Sequence, residues 1–153
     1  MIEELKTLRD DEIDVVMKSP LYVALLIAGA DGEIDSAERS EAIDIARNKQ
    51  SRARDQLAEF YQVVGEDFEA KFNALEKELP QETDARNFAI TSELRKLNFI
   101  LPKVDKNFSI KLHASLKDLA KRIAEASGGV LGYLSISYEE RKLMELKMIR
   151  DPS

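Results

Sequence analysis

The sequence predicts an all-α fold, a single domain over residues 1–153 built as a bundle of seven or eight helices. Three observations lead to it. Apolar residues recur at three- and four-residue spacing along almost the whole chain, and no segment alternates long enough to defend a strand. Pro, Gly or an N-cap residue falls wherever that periodicity lapses. The length, 153 residues, suits one ordinary domain with a sizeable core.

In order, Ile2, Leu5 and Leu8, then Ile13, Val16 and Met17, share a helical face. The acids Asp10, Asp11, Glu12 and Asp14 interrupt it, so a kink or two short helices is expected. Ser19-Pro20 reads as a restart, with Ser19 as N-cap and Pro20 at the first helical position. Leu21 to Ala30 is apolar on every side, which a short helix tolerates only at the centre of a fold. A turn follows, and then a helix from Ser36 to Lys49 with a narrow stripe of Ala42, Ile45 and Ala46. The next helix, starting near Ser51 or Arg52, carries Leu57, Phe60, Tyr61 and Val64 and is punctuated by Gly65. Phe68, Phe72, Leu75 and Leu79 form a face stopped by Pro80. Thr83 is the expected cap of a helix whose apolar positions include Phe88, Ile90, Leu94, Leu97 and Leu101, ended by Pro102. Asp105 or Asn107 opens the longest helix, with Leu112, Leu116, Leu119 and Ile123 inward and Gly128-Gly129 at its close. An apolar loop, Val130 to Leu134, is expected to pack inward, with a contact surface as the alternative, and Ser137 to Ile149 forms the last helix.

Composition narrows the function classes. With no Cys, disulfides, thiolate metal sites and a Cys nucleophile are excluded. No apolar run approaches the roughly 18 residues of a membrane span, and the acidic start Met1-Ile2-Glu3-Glu4 does not read as a signal peptide. A cytoplasmic location fits. The net charge of −6 argues against general affinity for phosphate backbones or anionic lipid. The charge is uneven: residues 1–44 hold 12 acids and 4 bases, and residues 94–122 hold 8 bases and 2 acids. The simplest account is helix faces that attract each other within the fold. The other is an acidic cation-binding end and a basic end that docks a partner.

One stretch combines backbone turn and carboxylates: Ala30-Asp31-Gly32-Glu33-Ile34-Asp35-Ser36-Ala37-Glu38-Arg39. Asp31-Gly32, five residues and Glu38 reproduce the second half of an EF-hand loop, in which Gly makes the bend and the final Glu closes on the ion. Ile27 and Gly29 stand where the two leading acids belong, so at most about four ligand groups are local, against the six to eight oxygens Ca²⁺ prefers. The missing oxygens would have to come from water or from another segment, such as Asp10, Asp11, Asp14 or Glu140 converging on Asp31. Asp35-Ser36-Ala37-Glu38 is also a capping box, and Asp-Gly is a common turn dipeptide. The two readings are compatible, and the cap is the better supported.

Ile34 to Arg39 lines up with Ile136-Ser137-Tyr138-Glu139-Glu140-Arg141, sharing Ile, Glu and Arg, which suggests an internal pseudo-repeat. The second copy has Tyr133 and Leu134 in place of Asp-Gly. A buried helix running into Ala-Asp-Gly-Glu-Ile-Asp-Ser-Ala-Glu, with a second Ile-Ser-x-x-Glu helix start about a hundred residues on, resembles the TerB-like domain of tellurite-resistance and stress-response proteins. The resemblance is sharp over Leu21 to Ile45 and loose over Leu112 to Ile149. It implies an all-helical domain and a divalent cation held by acidic turn residues, which here are Asp31, Asp35 and Glu38, with Glu140 the matching acid of the second unit. Ca²⁺ or Mg²⁺ suits such ligands better than Zn²⁺. It further implies binding or scaffolding in stress response rather than catalysis.

Other candidates are weaker. His113 is the only histidine and is expected at the surface or core boundary. No G-x-S-x-G elbow or phosphate-binding Gly loop is present. Lys103, Lys106, Lys111, Lys117, Lys121 and Arg122 form the basic region, with only Phe99 and Phe108 near, so an acidic protein partner is favoured over nucleic acid. The leading reading is a non-enzymatic helical module working through protein partners. The alternatives are a metal-assisted hydrolase using Asp31, Asp35 and Glu38, and a nucleic-acid or acidic-partner binder through residues 103–122.

Overall fold

A computed structural model of the chain describes residues 2–30, 32, 34–52, 56–127 and 142–153. Every described element is helical. The α-helices are α1 (Asp10–Ala28), α2 (Ser36–Arg52), α3 (Gln56–Gly65), α4 (Phe68–Glu78), α5 (Thr83–Arg95), α6 (Leu97–Ile100) and α7 (Lys106–Ser127). Short 3₁₀ turns occupy Glu3–Leu5 and Leu101–Lys103.

The apolar stretch sits where its lack of a polar face requires. Every residue from Leu21 to Ala28 is buried, and α1 packs against α2, α3, α4, α5, α6 and α7. The core gathered around it includes Phe60, Phe72, Phe108, Leu94, Leu97, Leu112 and Leu116, all fully buried. Phe60 meets Tyr61 and Phe108 edge-on, at centroid distances of 5.1 and 5.9 Å. The Tyr61 hydroxyl is buried in the same core and bonds the Ser115 hydroxyl at 2.5 Å, and burial pushes its pKa up. No described helix is long and apolar enough to cross a membrane.

The structure corrects several boundaries. α1 is continuous across Pro20, so Ser19 is not an N-cap. Pro20 lacks the N–H that would reach the Val16 carbonyl, and the Ser19 hydroxyl donates to that oxygen instead, at 2.7 Å. The true start is Arg9, whose N–H donates to Glu12 of the first turn at 3.0 Å. Thr83 is the first residue of α5, and the cap is Glu82, which accepts from the Ala85 N–H at 2.5 Å. Asp105 caps α7 as expected, accepting from the Phe108 N–H at 3.0 Å. The last helix stops by Met144 rather than Ile149, because Leu146 takes φ of 51° and breaks the helical path. Gly128-Gly129, the loop Val130 to Leu134 and the start of that last helix, with the second unit of the pseudo-repeat, lie outside the described residues.

Two side chains sharpen the expected burial pattern. His113, expected at the surface or core boundary, lies on the buried side of that boundary at 8% exposed, with the Ile149 backbone and Asp151 of the C-terminal segment beside it. Phe88, an expected apolar position of α5, is 70% exposed. It lies two residues from buried Ile90, which on a helix is nearly the opposite side.

Candidate functional site

The turn between α1 and α2 starts at Gly29, which closes α1 with its N–H on the Leu25 carbonyl at 3.0 Å. Gly32 has φ of 158°, a conformation that favours glycine on backbone grounds alone, since a Cβ there would meet nothing within 4 Å. The capping box is complete. The Glu38 N–H donates to Asp35 Oδ1 at 2.7 Å, and the Asp35 N–H donates to Glu38 Oε1 at 3.0 Å. One oxygen of each carboxylate is therefore committed to the start of α2.

What holds the turn comes from α5. Arg86 is 4% exposed, and its Nη2 donates to the Gly29 carbonyl at 2.7 Å and also to the Gly32 carbonyl. The neighbouring Asn87 donates Nδ2–H to the Ala30 carbonyl at 3.3 Å. From α2, Arg39 donates to the Ile34 carbonyl at 3.3 Å and forks onto the Glu76 carboxylate of α4, with contacts of 2.9 to 3.1 Å. Four carbonyls of the turn thus accept from side chains, two of them from a buried guanidinium. Gly29 is a space requirement of the same arrangement, because a Cβ there would lie 2.6 Å from Arg86 Nη2.

In an oxygen-lined cation loop, backbone carbonyls supply part of the ligand set. Here the positive charge that meets those carbonyls is Arg86, which has no carboxylate partner among the described residues. Its Nε and the Asn87 Oδ1 are buried without a hydrogen-bond partner among the described residues. A second cation beside a buried guanidinium would meet like-charge repulsion. Of the four expected ligands, the structure describes Asp35 and Glu38, while Asp31 and Glu140 lie outside the described residues. Asp10, Asp11 and Asp14 do not converge on the turn. They begin α1, whose 19 residues place the turn about 28 Å from its first residue. Among the described residues no group of three or more His, Asp or Glu is arranged to hold a metal.

The sequence does carry a signal for Arg86. It stands on the buried stripe of its own helix, with Ile90, Leu94 and Leu97 following at four, four and three. A charge on such a stripe needs an internal partner.

The basic region is partly neutralised from within. Lys103 pairs at 2.6 Å with Glu12, which also accepts the Arg9 N–H, and together they hold the Glu12 carboxyl below its usual range. Arg122 and Lys49 each reach Asp118 at 2.8 Å. The acidic and basic blocks meet inside the fold at Glu12 and Lys103. His113 loses basicity through burial, opposed by the charge of Asp151 and by the Ile149 backbone.

The same rod that holds the turn also presents an exposed face. α5 and α6 are separated only by Lys96, itself in the helical region. Phe88, Arg95 and Phe99 recur at seven and four, so they share a side, with the two rings about 16 Å apart along the axis. Phe88 and Phe99 are 70% and 72% exposed, and Arg95 is exposed with no carboxylate partner among the described residues. Of the two rings only Phe88 is an expected apolar position of its helix, and its register two residues from Ile90 is the signal that it faces out.

No protein-family model, curated protein or solved structure matches this chain.

Proposed function

We propose that the chain is a non-enzymatic helical binding module, TerB-like in its acidic turn, that docks a protein partner. The observation that carries this is the Phe88–Arg95–Phe99 stripe, set on the rod whose Arg86 and Asn87 fix the turn. Solvent-exposed phenyl rings flanking a guanidinium are the residue types that anchor protein interfaces. Arg95 between the rings suits a partner segment with apolar side chains on either side of an acid. A divalent cation at Asp31, Asp35 and Glu38 is a subordinate part of the proposal, weak because Arg86 supplies charge to the same turn.

The test has two arms. Phe88→Ser with Phe99→Ser leaves the core intact, so the folded double variant is expected to lose a partner that the unchanged protein binds directly. Undiminished binding would remove the stripe from the proposal. Calorimetric titration with Ca²⁺, Mg²⁺ and Zn²⁺ is expected to give small heats that Asp31→Ala abolishes; equal heats, or none, would remove the cation. Turnover by the metal-loaded protein in phosphatase and nuclease screens would favour a hydrolase instead.

A further inference from the structure

The C-terminal segment builds a cavity at the other side of the molecule. Leu146 and Ile149 are buried, 0% and 3% exposed, and anchor the segment against the helices. Asn98 of α6 clamps it from both ends of one amide, with Nδ2–H donated to the Met148 carbonyl at 2.9 Å and Oδ1 accepting the Arg150 N–H at 2.7 Å. Between this strap, α6, the 3₁₀ turn and the first turn of α7 lies a half-open cavity of about 350 Å³. That is room for about a dozen waters at ~30 Å³ each, within the range of small-molecule sites.

The lining has two chemistries. Leu97, Leu101, Pro102, Val104 and Pro152 make it mostly apolar. Lys106 and Arg150 stand at it with no carboxylate partner among the described residues. The acids nearby hold neutral donors, which leaves their charge in place, and Asp151 is outnumbered at the lining by the two cations. Asp105 accepts from the Phe108 N–H and Gln56, and Asp151, which also lines the cavity, accepts from the Ser153 N–H and hydroxyl on Oδ1. Asp151 further shares its charge with His113 and Lys117. The Ser109 hydroxyl is turned to the Leu101 carbonyl at 2.9 Å. The cavity also opens at the positive end of a 22-residue helix. The wall is conformationally committed, since Leu146 holds φ of 51° while fully buried, a backbone state that persists only where surroundings enforce it.

We infer that this cavity binds a small amphipathic carboxylate, its apolar body on Leu97, Leu101, Val104 and Pro152 and its carboxylate between Lys106 and Arg150. With two cations against the one carboxylate of Asp151, the lining carries a net positive charge that favours an acid over a neutral ligand or an amine. The geometry demands a compact acid and no covalent step.

Octanoate and 3-phenylpropionate are the probes, with octanol, 3-phenylpropionamide and octylamine as controls, followed on the full chain by amide chemical shifts. The acids are expected to bind in the millimolar range or tighter and to shift residues 97–109 and 150–152. The neutral and cationic analogues should bind at least about tenfold more weakly. Lys106→Met with Arg150→Gln, both exposed positions that leave the fold intact, should weaken the acids by about tenfold or more and the alcohol not at all. No shifts with either acid overturns the inference, as do shifts centred elsewhere, equal binding of alcohol and acid, or a double variant that binds the acids unchanged.

Discussion

The two ends of α5–α6 treat positive charge in opposite ways. At its start, Arg86 is buried and spent on the carbonyls of the α1–α2 turn, while Asn98, near its end, holds a strap that leaves Lys106 and Arg150 facing an open cavity. One end uses a cation to make structure; the other keeps cations in reserve. The difference is legible in the partners. Carbonyls pointing inward need donors wherever water is excluded, whereas Lys106 and Arg150 can wait in solvent without penalty.

The comparison breaks most severely at Arg86. Arg86→Ala orphans two turn carbonyls and empties a buried volume, so unfolding free energy should fall by roughly 3 kcal/mol and the melting temperature by about 6–12 °C. Arg86→Lys should recover only part of this, because one ammonium lacks the fork that spans the turn. A thermal melt within 2 °C of the unchanged protein, on the order of measurement scatter, would show that the guanidinium does not organise the turn. Gly29→Ala acts through the same contact. The added methyl must displace Nη2, and a loss of about 1–2 kcal/mol is expected in urea unfolding.

Asn98→Ala attacks the other end. It removes two bonds to the strap, which should lower the free energy of opening the strap by about 1 kcal/mol and raise amide exchange selectively at residues 146–151. Exchange that speeds up across the whole chain instead would mean that the strap and the core unfold together. Asp35→Ala deletes only the cap of α2, worth about 1 kcal/mol, and should leave Arg86 in place.

The smallest effect is a pH dependence beneath the strap. Burial lowers the His113 pKa from its usual 6.5. The unfolded chain therefore binds the proton more readily than the folded one, so the contribution is fully present above about 6.5 and is lost as pH falls through the window down to the folded value. Melts between pH 8 and 5 should decline over that window, and His113→Leu should flatten them. Glu12 works in the same direction lower on the scale. Its depressed pKa supplies stability above its ordinary value near 4.5 that is lost as pH falls through the folded one.

Periodicity and composition by themselves determined the helical class, the central position of Leu21 to Ala28, the buried faces of α3, α4 and α7, and the Asp35–Glu38 cap. All of these follow from residues three or four apart, and local geometry decides such contacts. Asp31 and Glu140 remain expectations drawn from pattern. Tertiary structure alone decided the rest. That Pro20 would ride inside one helix depended on α1 being packed along its length by six other helices. That Arg86 would supply the charge of a turn more than fifty residues away, that the C-terminal segment would reach His113, and that Lys106 and Arg150 would line one cavity all depend on distant segments. No spacing encodes them; they exist only because the helices pack in one arrangement, which brings a charge on a buried stripe to the carbonyls that need it.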